Sequence, residues 1–587
     1  MTVRVPQETI PAAGGHDMRY GRAIKGALLL AMASVGCRQD ADKARDRAIL
    51  DDRRPLFTEV TDQVGIDFVH QTGRAYSFFY PEIMGSGVAV LDYDNDGDLD
   101  IYLVNGAFHS DSAATGPPVR NRLYQRGANG TYRDVTEASG LGDRGYGMGC
   151  AVGDIDNDGD LDVYVTNYGP NSLYLNNADG TFANVSASAG VANDAWGSSA
   201  CFLDYDRDGY LDLYVSNYLA YDPSRKCQDA AGEPDYCGPQ EFDGTPDVLY
   251  RNNGDGTFTD VSEASQIGRI AGKGLGVWCA DLNDDNLQDI FVANDGEANL
   301  LWINRGDGTF IDQAAQRGVA VNEAGRTEAG MGVAGGDVNG DGYLDLFMTH
   351  LWKESNTLYV NDGAGRFEDR TAVAGLAKSS VPLTGFGTAL FDFDHDGDLD
   401  IITVNGRVFR DEPLPGTALG LYWNFYAEPN LLFENDGAGR FTDTSPRAGA
   451  LCSVVEVSRG LVTADLDNDG DLDVIVTNGG GRGRVYRNVA PKRGRWLMVR
   501  VVDARLSRDA IGARVTVTAG SRSYRRDVTR TYSYLSSGDA VAHFGLGDVR
   551  RIDRITVRWP DGLVETFPGP KANRRITLIR GSSSDRR

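Results

Sequence analysis

Apolar positions in this chain come in short runs that alternate with polar ones, and the runs recur in a fixed order. A glycine-rich apolar run such as Gly85-Ser86-Gly87-Val88-Ala89-Val90-Leu91 leads into a block of acids. An alternating run such as Leu99-Asp100-Ile101-Tyr102-Leu103-Val104 leads out of it. Period two over so few residues predicts β-strands, and Asn/Asp-Gly pairs between runs predict tight hairpins. The pattern returns seven times, with blocks starting at Asp92, Asp154, Asp204, Asp281, Asp337, Asp392 and Asp465, spaced by 62, 50, 77, 56, 55 and 73 residues. Most copies add a second hairpin, as in Asn171 to Ser186 and Asp247 to Ser262. Four short strands that cannot bury their own faces, repeated seven times, predict an all-β fold, a seven-bladed β-propeller.

The ends of the repeat region complement each other. Leu56-Phe57-Thr58-Glu59-Val60-Thr61 matches outer strands such as Thr257 to Ser262, whereas the seventh copy stops after Arg484 to Asn488 without one. The N-terminal strand is therefore expected to complete the last blade and leave no open sheet edge. From about Gly494 the acidic blocks vanish, and alternating strands are predicted at Trp496–Val502, Ala513–Ala519, Tyr524–Val528 and Ile555–Trp559.

Charge sharpens this division. The 587 residues carry a net −26, yet Pro491 to Arg587 holds 21 Lys/Arg against 9 Asp/Glu, a local +12 that leaves −38 for the rest. Such an acidic body repels nucleic acid, so no nucleic-acid partner is expected. The 73 glycines show no three-residue period, which excludes collagen. The acids are gathered in the blocks rather than spread as in a disordered acidic chain. Asp92 to Asp100 places carboxylates at its first, third, fifth and ninth positions and glycine at its sixth. Hard oxygens on alternate residues suit Ca²⁺, which takes six to eight of them, and the glycine permits the sharp turn. The block is not an EF-hand, because its closing acid comes at position nine and a strand follows. Asp, Asn and Gly also make turns without any ion, but seven blocks in phase favour calcium, in a structural role.

These repeats resemble the FG-GAP (VCBS-type) blades of integrin α-subunit propellers, over Leu56 to Asn488. The resemblance implies that the first, third, fifth and ninth side chains are the calcium ligands, with a backbone carbonyl from the seventh residue. The implied ligands are Asp92, Asp94, Asp96 and Asp100; Asp154, Asp156, Asp158 and Asp162; Asp204, Asp206, Asp208 and Asp212; Asp281, Asn283, Asp285 and Asp289; Asp337, Asn339, Asp341 and Asp345; Asp392, Asp394, Asp396 and Asp400; and Asp465, Asp467, Asp469 and Asp473. The fourth copy has Asn283 for an acid and Asn286 for the glycine, so weaker binding is expected there. Farther on, Ile511 to Val515, His543 to Gly547 and Val557 to Gly562 resemble the ASPIC/UnbV domain, which accompanies FG-GAP-type repeats in the cartilage acidic protein family. It implies a small β-sandwich, whose basic surface either docks on the acidic ring, meets an external polyanion or is simply solvated.

The N-terminus reads as an export signal. A start at Met18 gives a basic stretch (Arg19, Arg22, Lys25), an apolar run from Ala27 to Met32, and small residues before Cys37, which resemble a bacterial lipoprotein site. An ordinary signal peptide and a misplaced start are the alternatives. The expected organisation is a signal over 1–37 with Cys37 lipidated, a tether over 38–55, the propeller over 56–490, the ASPIC/UnbV domain over 491–580 and a tail over 581–587. Cys227 and Cys237 share one loop and are expected to form a disulfide, while Cys150, Cys201 and Cys279 read as buried thiols.

Three long connections, Ala107 to Arg120, Tyr218 to Pro246 and Arg407 to Pro429, all follow the strand after an acidic block and should emerge on one face. They are the expected seat of a protein or glycan ligand. The aromatics from Leu421 to Tyr426 serve either that recognition or as a plug of the central channel. Asn105, Asn167, Asn217, Asn294, His350, Asn405 and Asn478 recur five residues after each ninth-position acid; they either line one rim of the channel or cap strand ends, and capping is expected. His70 and Glu82 are expected to be structural. Taken together, the chain reads as an exported, calcium-binding propeller of binding or adhesion type at the cell envelope, held to the membrane through Cys37. The alternatives are an enzyme with its site at the propeller mouth, around His350 and Tyr422 to Tyr426, and a scaffold subunit.

Overall fold

Each acidic block closes the hairpin between a buried strand and its neighbour, and this unit sets the architecture. The computed structural model describes residues 54–73, 78–107, 119–229 and 231–583, and the backbone of 585–586. The export signal with Cys37, most of the tether and most of the Ala107 to Arg120 connection lie outside the described residues.

Seven four-stranded antiparallel sheets run through Phe57 to Asn488. The first consists of Val88–Leu91, Asp100–Leu103, Arg122–Arg126 and Tyr132–Asp134 in that order. The seventh combines Ser458–Ala464, Asp473–Asn478 and Arg484–Asn488 with Phe57–Glu59, which pairs Phe57 with Asn488 and Glu59 with Tyr486. The innermost strand of each sheet packs on that of the next, and the seventh packs on the first. Closure by the N-terminal strand protects the edges where the ends of the repeat region meet.

The innermost strands lack alternation because both of their faces are covered. All eight residues of Tyr146–Gly153 are buried, as are all seven of Gly274–Ala280. The glycines of these strands permit close backbone approach: a Cβ on Gly276 would lie 2.2 Å from the Met331 carbonyl oxygen of the next blade. The sequence pattern did not foretell the one-turn helices after outer strands, such as Thr136–Ser139 and Ser186–Ala189. Each ends at a glycine in the left-handed region, Gly140 at φ 73° and Gly190 at φ 78°.

The C-terminal domain is a sandwich of two sheets. In one, Trp496–Asp503 lies between Ala542–Gly545 (antiparallel) and Arg574–Ile579 (parallel). The other runs Arg522–Asp527, Arg514–Ala519, Arg554–Arg558, Val564–Pro568 and Asp585–Arg586, so part of the expected tail forms an edge strand. Leu497, Val499, Val515, Val517, Phe544, Ile555 and Trp559 share the core between them. The predicted strands are present, shifted at their ends by one or two residues.

A separate apolar cluster fills the middle of the ring. Phe79, Tyr80, Ile83, Met84, Trp196, Tyr218, Tyr236, Trp423 and Tyr426 enter it from the propeller, and Tyr534 and Leu535 enter it from the C-terminal domain. Trp423 and Tyr426 thus act as channel filling, whereas Leu421 is 94 % exposed.

Candidate metal loops and the domain that covers them

The nine-residue loops share one backbone solution. The sixth residue is left-handed throughout: Gly97 at φ 91°, Gly159 at 99°, Gly209 at 95°, Gly342 at 91°, Gly397 at 106°, Gly470 at 95°, and Asn286 at 78° in the fourth loop. Asn286 therefore keeps the turn, as its short amide side chain tolerates this region. The fourth position is left-handed as well, in Asn95, Asn157, Arg207, Asp284, Gly340, His395 and Asn468. Reading the sequence did not single out that position. Asparagine stands there in three of the seven loops, and that was the available signal.

The first and ninth acids have distinct tasks. Asp92 accepts hydrogen bonds from Asp96 N and Gly97 N, each 3.0 Å, and Asp154 accepts from Asp158 N at 3.2 Å and Gly159 N at 2.9 Å. The ninth acid ties the loop to the third strand: Asp100 Oδ1 accepts from Arg126 N at 2.8 Å, Asp212 from Asn252 N at 2.9 Å and Asp473 from Asn488 N at 2.8 Å. The same third-strand asparagines reach the loop of the preceding blade. Asn176, Asn252, Asn304, Asn361, Asn435 and Asn488 donate from Nδ2 to the carbonyls of Tyr93, Ile155, Tyr205, Leu282, Val338 and Phe393, at 2.7–3.1 Å. Six of the seven blades are thereby stitched to the loop before them, the first having Arg126 at this place.

Five loops gather three carboxylates so that one oxygen from each lies within 4.8 Å of the others. The sets are Asp92, Asp94 and Asp96; Asp154, Asp156 and Asp162; Asp204, Asp206 and Asp212; Asp392, Asp394 and Asp400; and Asp465, Asp467 and Asp469. Asp100, Asp158, Asp208, Asp396 and Asp473 stand outside those sets. Burial pushes the acids up, to about 8 for Asp100, about 9 for Asp212 and about 6 for Asp154. Burial and the neighbouring Asp396 and Asp394 raise Asp392 to about 8. In the five converging loops the buried oxygens Asp94 Oδ1, Asp204 Oδ1, Asp394 Oδ1 and Asp467 Oδ1 have no hydrogen-bond partner, and Asp281 Oδ1 of loop four also has none. Packed, unpartnered carboxylate oxygens are the donor set that a hard divalent cation satisfies, so these residues fit calcium. In loop five, Asn339 turns its amide onto Asp341 at 2.9 Å, beside Asp337 and Asp345. In loop four, Asn283 does the same to Asp285 at 2.9 Å, and Asp281 is met by arginines instead.

Those arginines belong to the C-terminal domain, which covers the acidic-loop face. Arg493 pairs with Asp394 at 3.1 Å and Asp396 at 3.3 Å in loop six. Arg508 donates to Asn157 Oδ1 at 2.8 Å in loop two and to the Gly209 carbonyl at 3.1 Å in loop three. Arg525 donates to the Gly342 carbonyl in loop five at 3.0 Å, and His543 Nε2 lies 3.1 Å from that of Gly470 in loop seven. The segment from Tyr532 to Ser537 then enters the channel and bonds to innermost strands: Ser537 N donates to Val88 O at 2.9 Å and Ser533 N to Val333 O at 2.6 Å. A Cβ on Gly87 would fall 1.9 Å from the Leu535 carbonyl oxygen. Of the options open for the basic surface, docking on the acidic ring is what the structure shows. The charge split hinted at it, but the individual residues were not legible.

On the opposite face, Cys227 and Cys237 are joined as a disulfide with Cα atoms 5.1 Å apart. Cys150, Cys201, Cys279 and Cys452 are buried thiols. The recurrent asparagines cap the strand ends, with Nδ2 of Asn167, Asn294 and Asn405 donating to Pro170, Ala298 and Pro429 at 2.7–3.0 Å. His350 sits at the seventh such place, buried, its Nε2 3.8 Å from Glu328 Oε2, and burial holds its pKa down near 3. Tyr422 bonds to Tyr236, which also bonds to Glu82 at 3.2 Å. Gly480 N donates to His70 Nδ1 at 3.3 Å.

Fold and loops define a class: an all-β protein of propeller-type sheets carrying oxygen-rich acidic loops, with a basic sandwich over the loop face. The model of the FG-GAP-like repeat matches residues 92–165, 154–215, 232–292, 281–348, 337–403 and 421–476, and that of ASPIC and UnbV matches 503–585. The chain belongs to the FG-GAP-like repeat family and ends in an ASPIC/UnbV domain. It is 30 % identical over 324 residues to cartilage acidic protein 1 of Homo sapiens, covering 54 % of this chain but only 45 % of that protein. To the Xenopus tropicalis protein of the same name it is 27 % identical over 539 residues, covering 87 % of this chain and 74 % of the relative. Among solved structures, the BP39L lectin from Burkholderia pseudomallei aligns at TM-score 0.41 and 11 % identity, over 70 % of this chain and 98 % of the lectin. A likeness this weak carries no argument.

Proposed function

We propose that this chain is an exported calcium-binding propeller that acts as a binding protein at the cell envelope. The observation that carries the reading is the convergence of three carboxylate oxygens within 4.8 Å in each of five loops. Bound calcium supplies the positive charge that lets these buried acids ionise together. The chain's own residues do the rest: the first and ninth acids grip the loop backbone and the third strand, and the asparagines pass that order to the next blade. The role is structural, because each loop is closed by its own hairpin and lies beneath or beside the C-terminal domain.

Recognition is assigned to the opposite face. Leu421 is 94 % exposed there, with Phe425 and Trp352 each 36 % exposed. A cavity of about 210 Å³ is lined by Tyr80, Lys273, Asp295, Glu354 and Leu351, the last being the chain neighbour of Trp352. These features suit a protein or glycan ligand, in which apolar and polar contacts mix. The disulfide supports an oxidising compartment, and Cys37 is the proposed lipid anchor. Calcium titration of the chelated protein, paired with thermal unfolding, tests the reading. Several tightly held ions and a large rise in unfolding temperature are expected. An unfolding temperature that chelation leaves unchanged would reject the structural role.

A further inference from the structure

Loop four departs from the other loops in what meets its first acid. Among the described residues, the first-position acids of the other loops accept hydrogen bonds from backbone N–H groups alone, as Asp337 does from Gly340, Asp341 and Gly342 at 2.8–3.1 Å. Asp281, only 5 % exposed, accepts from Asn286 N at 3.0 Å and also receives two guanidinium groups on Oδ2, Arg514 at 3.4 Å and Arg558 in closer contact, while its buried Oδ1 has no hydrogen-bond partner. The same two arginines reach Asp284, the acid that only this loop carries at its fourth position; Arg558 lies 3.4 Å from it and Arg514 pairs with it directly.

The way the arginines are delivered argues that this is a built arrangement. Arg514 and Arg558 are direct partners across two neighbouring antiparallel strands of the C-terminal domain. Like charges placed opposite each other on a sheet repel, and they are tolerated where an acid sits between them. Asp281 and Asp284 supply that acid. Two guanidinium groups carry the same charge as one divalent cation, and Arg presents its donors in a rigid fork suited to carboxylates. The domain backbone also rests on this loop. A Cβ on Gly562 would lie 2.5 Å from Asn286 Nδ2, and one on Gly512 would lie 3.0 Å from the Gln288 side chain. Asn283 removes one acid from the loop, and Asn286 keeps the left-handed turn at φ 78°.

We propose that loop four is not a calcium site but a metal-independent clasp, in which the paired guanidinium groups of Arg514 and Arg558 take the place of the ion and hold the C-terminal domain on the propeller. The inference rests on the calcium reading of the five loops whose carboxylates converge, extended to loop five, which keeps three of the four acids and whose first acid meets backbone N–H groups alone. It separates two roles: six loops staple blades around an ion, five of them (two, three, five, six and seven) also touching the C-terminal domain, whereas loop four meets that domain with guanidinium groups in the ion's place.

The test counts calcium per full-length chain by equilibrium dialysis with elemental analysis, for wild type, Asp204→Asn, Asp281→Asn and Arg514→Gln/Arg558→Gln. Wild type is expected to hold six ions and Asp204→Asn five. Asp281→Asn should stay at six. The double arginine variant leaves Asp281, Asn283, Asp285 and Asp289 free, a donor set like that of loop five, and should rise to seven. Seven ions in wild type, one ion lost in Asp281→Asn, or no gain in the double variant would overturn the clasp. If Asp204→Asn loses no ion, the calcium reading itself fails. The clasp is then judged by hydrogen exchange of residues 532–537 in chelator. At least tenfold faster exchange in the double variant than in wild type supports it, and equal exchange overturns it.

Discussion

At the scale of residues, the loop acids hold two opposed demands. Each must sit close to others of its kind, and each is buried where ionisation is costly. Asp100 and Asp392 are raised to about 8 and Asp212 to about 9, burial being the largest cause in all three. A raised carboxyl pKa means that the folded state binds more protons than the unfolded one between the two values, so stability falls as pH rises through that window. The chelated protein is therefore expected to lose stability between about pH 4 and pH 8, by roughly 1.4 kcal/mol per pH unit for each such group. Calcium should flatten or invert that slope. Urea unfolding at several pH values, with and without calcium, checks it; a chelated protein equally stable at both ends would contradict these environments.

Arg459 gives a second prediction at this scale. It is fully buried, donates to the carbonyls of Ile83, Arg407, Gly406 and Ser458 at 2.7–3.1 Å, and lies 3.9 Å from the Phe386 ring centroid. No sequence pattern marked it, because its partners are backbone groups from three different segments. Arg459→Met strands those carbonyls and should cost about 3 kcal/mol or more in denaturant unfolding. A change below about 1 kcal/mol would show that the carbonyls find other partners.

At the scale of elements, the hairpins were legible because period-two patterns and Asn/Asp-Gly turns act locally. The Leu56 to Thr61 match foretold the strand Phe57–Glu59 that closes the last sheet. The stitching between blades was not read, although its asparagines stand in plain view at the ends of third strands. Their partners are carbonyls about 80 to 100 residues away, so spacing alone could not reveal them. Asn304, 2 % exposed, bonds to the carbonyls of Tyr205 at 2.9 Å and Gln288 at 3.2 Å. Asn304→Ala should destabilise by about 1–3 kcal/mol, because it leaves buried carbonyls unpaired. Thermal unfolding of the calcium-loaded protein measures this, and an unshifted midpoint would reduce the stitch to decoration.

At the scale of the whole molecule, the charge split between the repeats and the C-terminal segment becomes an interface. A +12 segment covers the acidic-loop face of a −38 body and sends Tyr534 and Leu535 into the channel. Calcium at the proposed sites would add to this by mass action, about 2.7 kcal/mol for each site held at a hundred times its Kd. On the far face, Leu421→Asp changes an exposed residue and should leave unfolding within about 0.5 kcal/mol of wild type. Binding to isolated envelopes should weaken markedly. Unchanged envelope binding would move the recognition surface elsewhere.

The sequence by itself determined the strands, the seven-fold repetition, the acidic loops with their glycine turns, and the change of grammar near Gly494. All of these depend on residues close along the chain, where steric limits on the backbone and hydrophobic periodicity decide. Only the tertiary structure decided which acids converge, which asparagines join neighbouring blades, what fills the channel, and that arginines answer Asp281 in loop four. Those outcomes bring together groups distant in sequence, and burial then sets their charge and their need for a partner.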